Sequence, residues 1–241
     1  MWEIKDVKAR GRAAFKANYW VSVLVGFILT LLISGGTVAG RNSMSDTTEQ
    51  VPSEVQSSLN ELGEAVDALP EDTKAAIALA LLGGFIVILV IGIVLKIFVW
   101  NPIEVGCYRF FAKNVEHAPA PFGCVGEGFG NYGHVLVTLL VRDLLIILWT
   151  LLLIVPGIMK AYSYQLVPYI IKDEPNLSAK EVLARSSQLM YGNRWRAFLM
   201  DLSFIGWGLL GLLTFGIVNI FWTTPYFQSA QAALYLELTG R

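Results

Sequence analysis

Long apolar blocks constrain this 241-residue chain more than any other feature of its sequence. A helix needs about 20 apolar residues to cross a bilayer core of about 30 Å. Blocks of that kind run from Trp20 to about Gly36, Ala75 to Trp100, His134 to Ile154, Trp195 to Leu213 and Ile217 to Leu236. A shorter one runs from about Ile158 to Ile171, after Pro156-Gly157, which the sequence reads as a sharp break. Only 15% of the residues are charged, against about 25% in soluble domains. Lipid offers the backbone no hydrogen-bond partner, so each block must be helical. None alternates as a membrane β-strand would. The expected fold class is therefore all-α: one polytopic membrane domain over 1–241 with about six transmembrane helices.

Charge sets the expected orientation. Residues 1–18 hold five basic residues against two acids, and residues 172–196 hold five against three. Residues 37–74 hold only Arg41 and Lys74 against eight acids. Six spans with the N-terminus inside put 13 of the 18 Lys and Arg on cytoplasmic segments, as the positive-inside rule asks. The expected location is the cytoplasmic (inner) cell membrane, with both ends cytoplasmic. A cleaved signal peptide is the competing reading of the first block, with small residues at Ser34-Gly35-Gly36 and Ala39. The net charge of −1 gives no basic field that would favour nucleic acid.

The blocks pair into three hairpins. Ala9-Arg10 precedes Asn18-Tyr19-Trp20 at the spacing by which Ala184-Arg185 precedes Asn193-Arg194-Trp195. Asn131-Tyr132-Gly133 occupies the same place before the third block. Each returning helix carries a proline, Pro102, Pro168 or Pro225, that reads as an equivalent kink. Each hairpin is expected to be led by a cytoplasmic interfacial helix. Ser178-Ala179-Lys180-Glu181 is a capping box for one of them. Val182, Leu183, Ser186, Leu189 and Met190 then share a face, with Tyr191 and Trp195 as interfacial anchors. Ile4, Val7, Ala14 and Phe15 form a weaker stripe among the basic residues of the N-terminal segment.

Residues 37–74 read as an acidic extracytoplasmic loop. Ser53-Glu54-Val55-Gln56 is a second capping box, and Val55, Leu59, Leu62, Val66 and Leu69 recur at helical spacing until Pro70. An amphipathic helix at about 53–69 follows. It either packs over the span ends or offers a surface for a protein partner or self-association.

No sequence pattern assigns chemistry. Gly128-Phe129-Gly130-Asn131-Tyr132-Gly133 fits GxGxxG but lacks the strand, crossover and distant acid of a dinucleotide site. Its glycines read instead as a tight turn at the membrane surface. Cys107, Cys124, His117, His134 and Glu127 show no metal-ligand spacing, and the two cysteines read as free thiols. No catalytic residue, cofactor or metal is expected, and the chain reads as non-enzymatic. The candidate site is an intramembrane polar cluster of Arg142, Asp143 and Asp201. Arg142 and Asp143 lie roughly 12 Å, and Asp201 roughly 9 Å, below the expected cytoplasmic boundary at 1.5 Å per residue. Charges at that depth must pair or face water. Asp201 or Asp143 should therefore lie near Arg142, and Arg142 and Asp143 should not pair only with each other.

The segments Pro156-Gly157-Ile158-Met159-Lys160-Ala161-Tyr162-Ser163-Tyr164 and Leu202-Ser203-Phe204-Ile205-Gly206-Trp207 resemble a bacterial integral membrane family, domain of unknown function 975. Leu213-Thr214-Phe215-Gly216-Ile217, Pro225-Tyr226, Asn18-Tyr19-Trp20 and Phe129-Gly130-Asn131-Tyr132-Gly133 fit it too. The resemblance covers nearly the whole chain outside residues 37–74. It implies a polytopic bacterial membrane protein and no activity, substrate or cofactor. Two functions follow as expectations: a protein that binds membrane lipids or assists a membrane complex, or a transporter with a polar intramembrane cavity.

Overall fold

The computed structural model describes residues 2–34 and 69–241, and every regular element among them is helical. The amphipathic helix expected at about 53–69 lies outside the described residues. Two units make up the chain, residues 35–96 and the remainder.

The smaller unit contributes one described helix, α3 in chain order (Glu71–Leu95). Pro70 stands at its N-cap and Glu71 and Asp72 fill its first turn, where acids complement the helix dipole. The expected loop at 37–74 therefore gives way to helix at Glu71. None of the residues of α3 is buried.

In the larger unit, α1 (Ile4–Ala17) meets α2 (Tyr19–Ser34) at a bend of 108°. This is the elbow expected at Asn18. The Asn18 amide donates to Asn114 Oδ1 (3.0 Å) and to the Ala120 carbonyl (2.8 Å). Asn114 is fully buried and donates to the Ala14 carbonyl, so the corner is satisfied without water. Helix α4 (Asn101–Glu116) follows a π-helical turn at Lys96–Trp100. A 3-10 segment (Phe122–Phe129) leads to α5 (Tyr132–Leu152). Next come α6 (Ile154–Ser163), α7 (Val167–Asp173), α8 (Ala179–Leu189), α9 (Arg194–Leu202) and α10 (Ile205–Leu213). A second π-helical turn (Asn219–Thr223) opens α11 (Thr224–Leu238).

Among the described residues three helical stretches are long and apolar enough to cross a membrane, Glu71–Glu116, Tyr132–Leu152 and Arg194–Leu213, and the bent α1–α2 pair adds a fourth if it is one broken span. The fourth and sixth apolar blocks are not among them. The fourth is divided into α6 and α7 by a turn at residues 164–166. The break before it sits at Leu153, in extended geometry, and not at Pro156-Gly157. Pro156 falls in the first turn of α6, where a missing N–H costs nothing. The sixth carries buried Gln228, Ser229 and Gln231 on α11, which dilute its hydropathy.

The three prolines are equivalent, as the repeat predicts. Pro102, Pro168 and Pro225 each stand in the first turn of α4, α7 and α11. They mark a change of environment more than a kink. Before them, Ile154, Ile158, Ile217 and Phe221 are exposed. After them, α4, α7 and α11 are largely buried. These three helices form the core, with α11 against α1 and α4, and α4 against the 3-10 segment and α7. Phe15, Phe110, Phe111 and Tyr235 are fully buried there, each contributing about 1.5–3 kcal/mol of apolar burial. Small residues on α11 let α1 approach: a Cβ on Gly11 would sit 2.7 Å from Ala230 Cα.

The capping box of α8 is present, with Glu181 accepting from the Ser178 backbone N–H at 2.7 Å. Ser178→Ala is expected to cost about 1 kcal/mol. A thermal midpoint unchanged by Ser178→Ala but lowered by Ser178→Thr would contradict this role.

Candidate functional site

Polar side chains gather in four places among the described residues. The first surrounds Arg142 on α5. Its guanidinium donates to Asp143 (2.8 Å) and lies 3.6 Å from Glu104 of α4. Only 13% of the Arg142 side chain is exposed, so the two carboxylates supply the counter-charge that burial demands. The expectation that Asp143 lies near Arg142, and is not its sole partner, holds. The second carboxylate, Glu104, was not foreseen, because two residues after Pro102 it reads as lying outside a span.

Asp201 is not part of that group, contrary to expectation. On α9 it accepts from the Tyr162 hydroxyl (3.0 Å) and from Gln231 Nε2 (2.6 Å). Gln231 in turn accepts from Gln165 (2.6 Å). Helices α6, α9 and α11 and the α6–α7 turn each give one member. The physical reason is that Gln231 and Tyr162 are neutral donors, and hydrogen bonds from neutral groups satisfy the carboxylate where it enters the core.

The third group joins α4, α7 and the 3-10 segment. Asp173 ends α7 with its side chain 8% exposed. It is held by Arg109, by Arg241 and by the Tyr235 hydroxyl. Burial alone would raise its pKa, but the Tyr235 and Arg241 hydrogen bonds and the Arg109 and Arg241 charges hold it below the usual aspartate range. Arg109 and Lys113 also bind Glu127, and Arg241 lies 3.6 Å from Glu116. Residues 109, 127, 173 and 241 are far apart in sequence, so no local pattern signals this network.

The fourth is a groove along α1. Its cavity, about 870 Å³, is lined by Lys5, Lys8, Arg12 and Lys16 and by Tyr226 of α11. Lys8 donates to Ser203 Oγ (2.9 Å) and lies 4.3 Å from the centre of the Phe204 ring. The Arg12 guanidinium stands 5.8 Å from the Trp222 ring, a cation–π distance. The sequence signal was available: the spacings of 3, 4 and 4 put all four cations on one helical face.

The GxGxxG segment is structural in a different way from the one expected. The left-handed residue is Asn131 (φ 52°), not a glycine. Gly128 serves close packing instead, since a Cβ there would stand 1.8 Å from the Pro102 carbonyl oxygen. Cys107 and Cys124 are free and buried, as expected. Both ring nitrogens of His134 are buried without a hydrogen-bond partner.

A family model described as "Protein of unknown function (DUF975)" matches residues 20–241. The match includes the segment 37–74 and begins after α1. No curated protein and no solved structure matches the chain.

Proposed function

We propose that this chain, which belongs to the DUF975 family, is a non-enzymatic multi-pass protein of the bacterial inner membrane that binds lipid or assists a membrane complex. Six spans in three hairpins, with both ends cytoplasmic, fit the charge distribution. In this arrangement the fourth crossing is broken between α6 and α7, and the sixth passes into the core as α11.

One observation carries the reading: α5 and α10 expose large apolar residues along their length, while the basic helix α1 bends sharply into α2. Leu144, Ile147, Leu148 and Leu151 of α5 and Leu209, Leu212 and Leu213 of α10 are all more than half exposed. Exposed apolar faces of this extent need a cover, and lipid chains supply it. The 108° bend at Asn18 lets α2 enter that layer while α1 lies along its surface, where cations meet headgroups.

Native mass spectrometry of the protein extracted with its membrane lipids tests this. Retained lipid at defined stoichiometry is expected. A protein that emerges lipid-free under conditions mild enough to preserve its fold would count against the reading.

The transporter alternative draws on the two polar groups at Arg142 and Asp201. Asp201→Asn keeps the side-chain shape and discards the charge. Lipid binding at the surface predicts an unchanged adduct pattern. Loss of the adducts in a folded Asp201→Asn protein would place the ligand at that carboxylate and favour a polar intramembrane cavity.

A further inference from the structure

We infer that the α1 groove is a built, stoichiometric site for the phosphate headgroup of an anionic phospholipid. The inference rests on the lipid-binding reading above and gives it a place and a ligand class.

The cations of the groove are arranged, not merely abundant. Lys5, Lys8, Arg12 and Lys16 line one cavity, and at 1.5 Å per residue they extend over roughly 16 Å of helix. None of them has a carboxylate partner among the described residues, while Arg109, Arg142, Arg185 and Arg241 all do. No acidic residue lines the groove. Four converging cations without a counter-ion leave a positive field that an anion would neutralise.

Two of the four are held in place before any ligand arrives. Ser203 and the Phe204 ring fix Lys8, and the Trp222 ring backs Arg12. Phe204 is buried, and its ring packs edge-on against Tyr226. Ordering a long side chain on binding costs about 0.5–1.5 kcal/mol, so cations already ordered bind an anion better than loose ones. A guanidinium and an ammonium on one face supply charge-assisted donors suited to phosphate oxygens.

The surroundings favour a lipid phosphate over a free one. One residue past the end of α1, the chain turns into α2, where Trp20, Leu24 and Leu31 are exposed. A phosphate seated on α1 therefore stands beside an apolar surface that acyl chains can cover. Ile4, Ala9 and Ala13 give the groove apolar walls, which suit a glycerol backbone better than hydrated inorganic phosphate.

The test uses the full chain in phosphatidylcholine nanodiscs doped with phosphatidylglycerol, with bound lipid counted by native mass spectrometry. Wild type should retain one phosphatidylglycerol selectively. Lys8→Gln with Arg12→Gln should weaken that retention about tenfold, the effect of about 1.4 kcal/mol. Lys5→Gln with Lys16→Gln touches no aromatic or hydroxyl partner and should weaken it with the thermal midpoint unchanged, so a folding defect in the first pair does not decide the matter. Lys180→Gln with Arg185→Gln removes the same charge from α8 and should change retention less than twofold, as expected for surface charges screened by salt. Equal losses from the groove and α8 pairs would overturn the site in favour of diffuse attraction. Displacement of the lipid by millimolar inorganic phosphate would overturn the lipid as the source of the phosphate. Retained lipid that ignores every groove variant would sink the site and leave the general reading standing; no retained lipid in any sample would sink both.

Discussion

Asp173→Asn should destabilise the protein by about 3 kcal/mol, the lower end of what breaking one side of a buried ion pair costs. The carboxylate is the shared acceptor for Arg109, Arg241 and the Tyr235 hydroxyl, and little of it is exposed. The amide keeps the volume but removes the charge and turns one acceptor into a donor facing donors. Arg109 retains Glu127 and Arg241 retains Glu116, which keeps the expected loss from being larger. Tyr235 stacks on Tyr169 at 4.9 Å, so its displaced hydroxyl would disturb the aromatic layer between α7 and α11. Thermal unfolding in detergent reads the effect. Tyr235→Phe removes one donor and should cost about 1 kcal/mol. If the two losses add fully in the double variant, the hydroxyl and carboxylate are not coupled and the network is only a list of neighbours.

The same carboxylate gives a pH dependence of known sign. Its folded pKa lies below the unfolded one, so the folded state favours the ionised form. Its contribution is fully present above the unfolded aspartate value of about 3.9 and is lost as pH falls through the lower folded value. Wild type should lose stability below about pH 4, with a shallower slope in Asp173→Asn. Identical acid profiles for the two proteins would remove Asp173 as the titrating group.

What the sequence made legible follows the range of each signal. Apolar runs located α2, α3, α5, α9 and α10, because a long apolar helix asks only for hydrophobicity along one segment. The capping box at Ser178 and the equivalence of Pro102, Pro168 and Pro225 are equally local and equally visible. Asp201 was misplaced because depth along a helix says nothing about which neighbour's polar group faces it; Gln231 lies 30 residues and Tyr162 39 residues away in the chain. The Asp173 network was missed for the same reason. The α1 stripe is a different case. Its spacing was in the sequence, but the residues that make it a groove, Tyr226, Phe204 and Trp222, lie about 190–220 residues away. The π-helical turns ahead of two of the prolines have no sequence signal that we can name.

The largest local effect should come from Gly128 and Gly106, where α4 and the 3-10 segment touch. A Cβ on Gly106 would stand 1.8 Å from the Val125 carbonyl oxygen, and one on Gly128 would stand 1.8 Å from the Pro102 oxygen and 2.8 Å from the Gly106 nitrogen. These obstacles are backbone atoms, which cannot rotate away as a side chain could. Accommodating either methyl requires the two segments to separate, and with them the Cys124 and Val125 contacts that bury this face of α4. Overpacking typically costs about 1–3 kcal/mol and sometimes more; with backbone on the other side, about 3 kcal/mol or more is expected for Gly128→Ala. The two sites share one interface, so once it opens for one methyl the second adds less. The double variant should cost clearly less than the sum. Gly126 and Gly133 are the controls, because a Cβ at either meets nothing within 4 Å. Gly126→Ala and Gly133→Ala should leave the thermal midpoint within about 0.5 kcal/mol of wild type, as surface changes do. This pattern also separates the two readings of the GxGxxG segment. A phosphate-cradling loop needs backbone access along its whole length, so all three glycines should then be sensitive in ligand binding. Close packing demands only the first. Tolerance at Gly128 together with intolerance at Gly133 would reverse the assignment made from these distances.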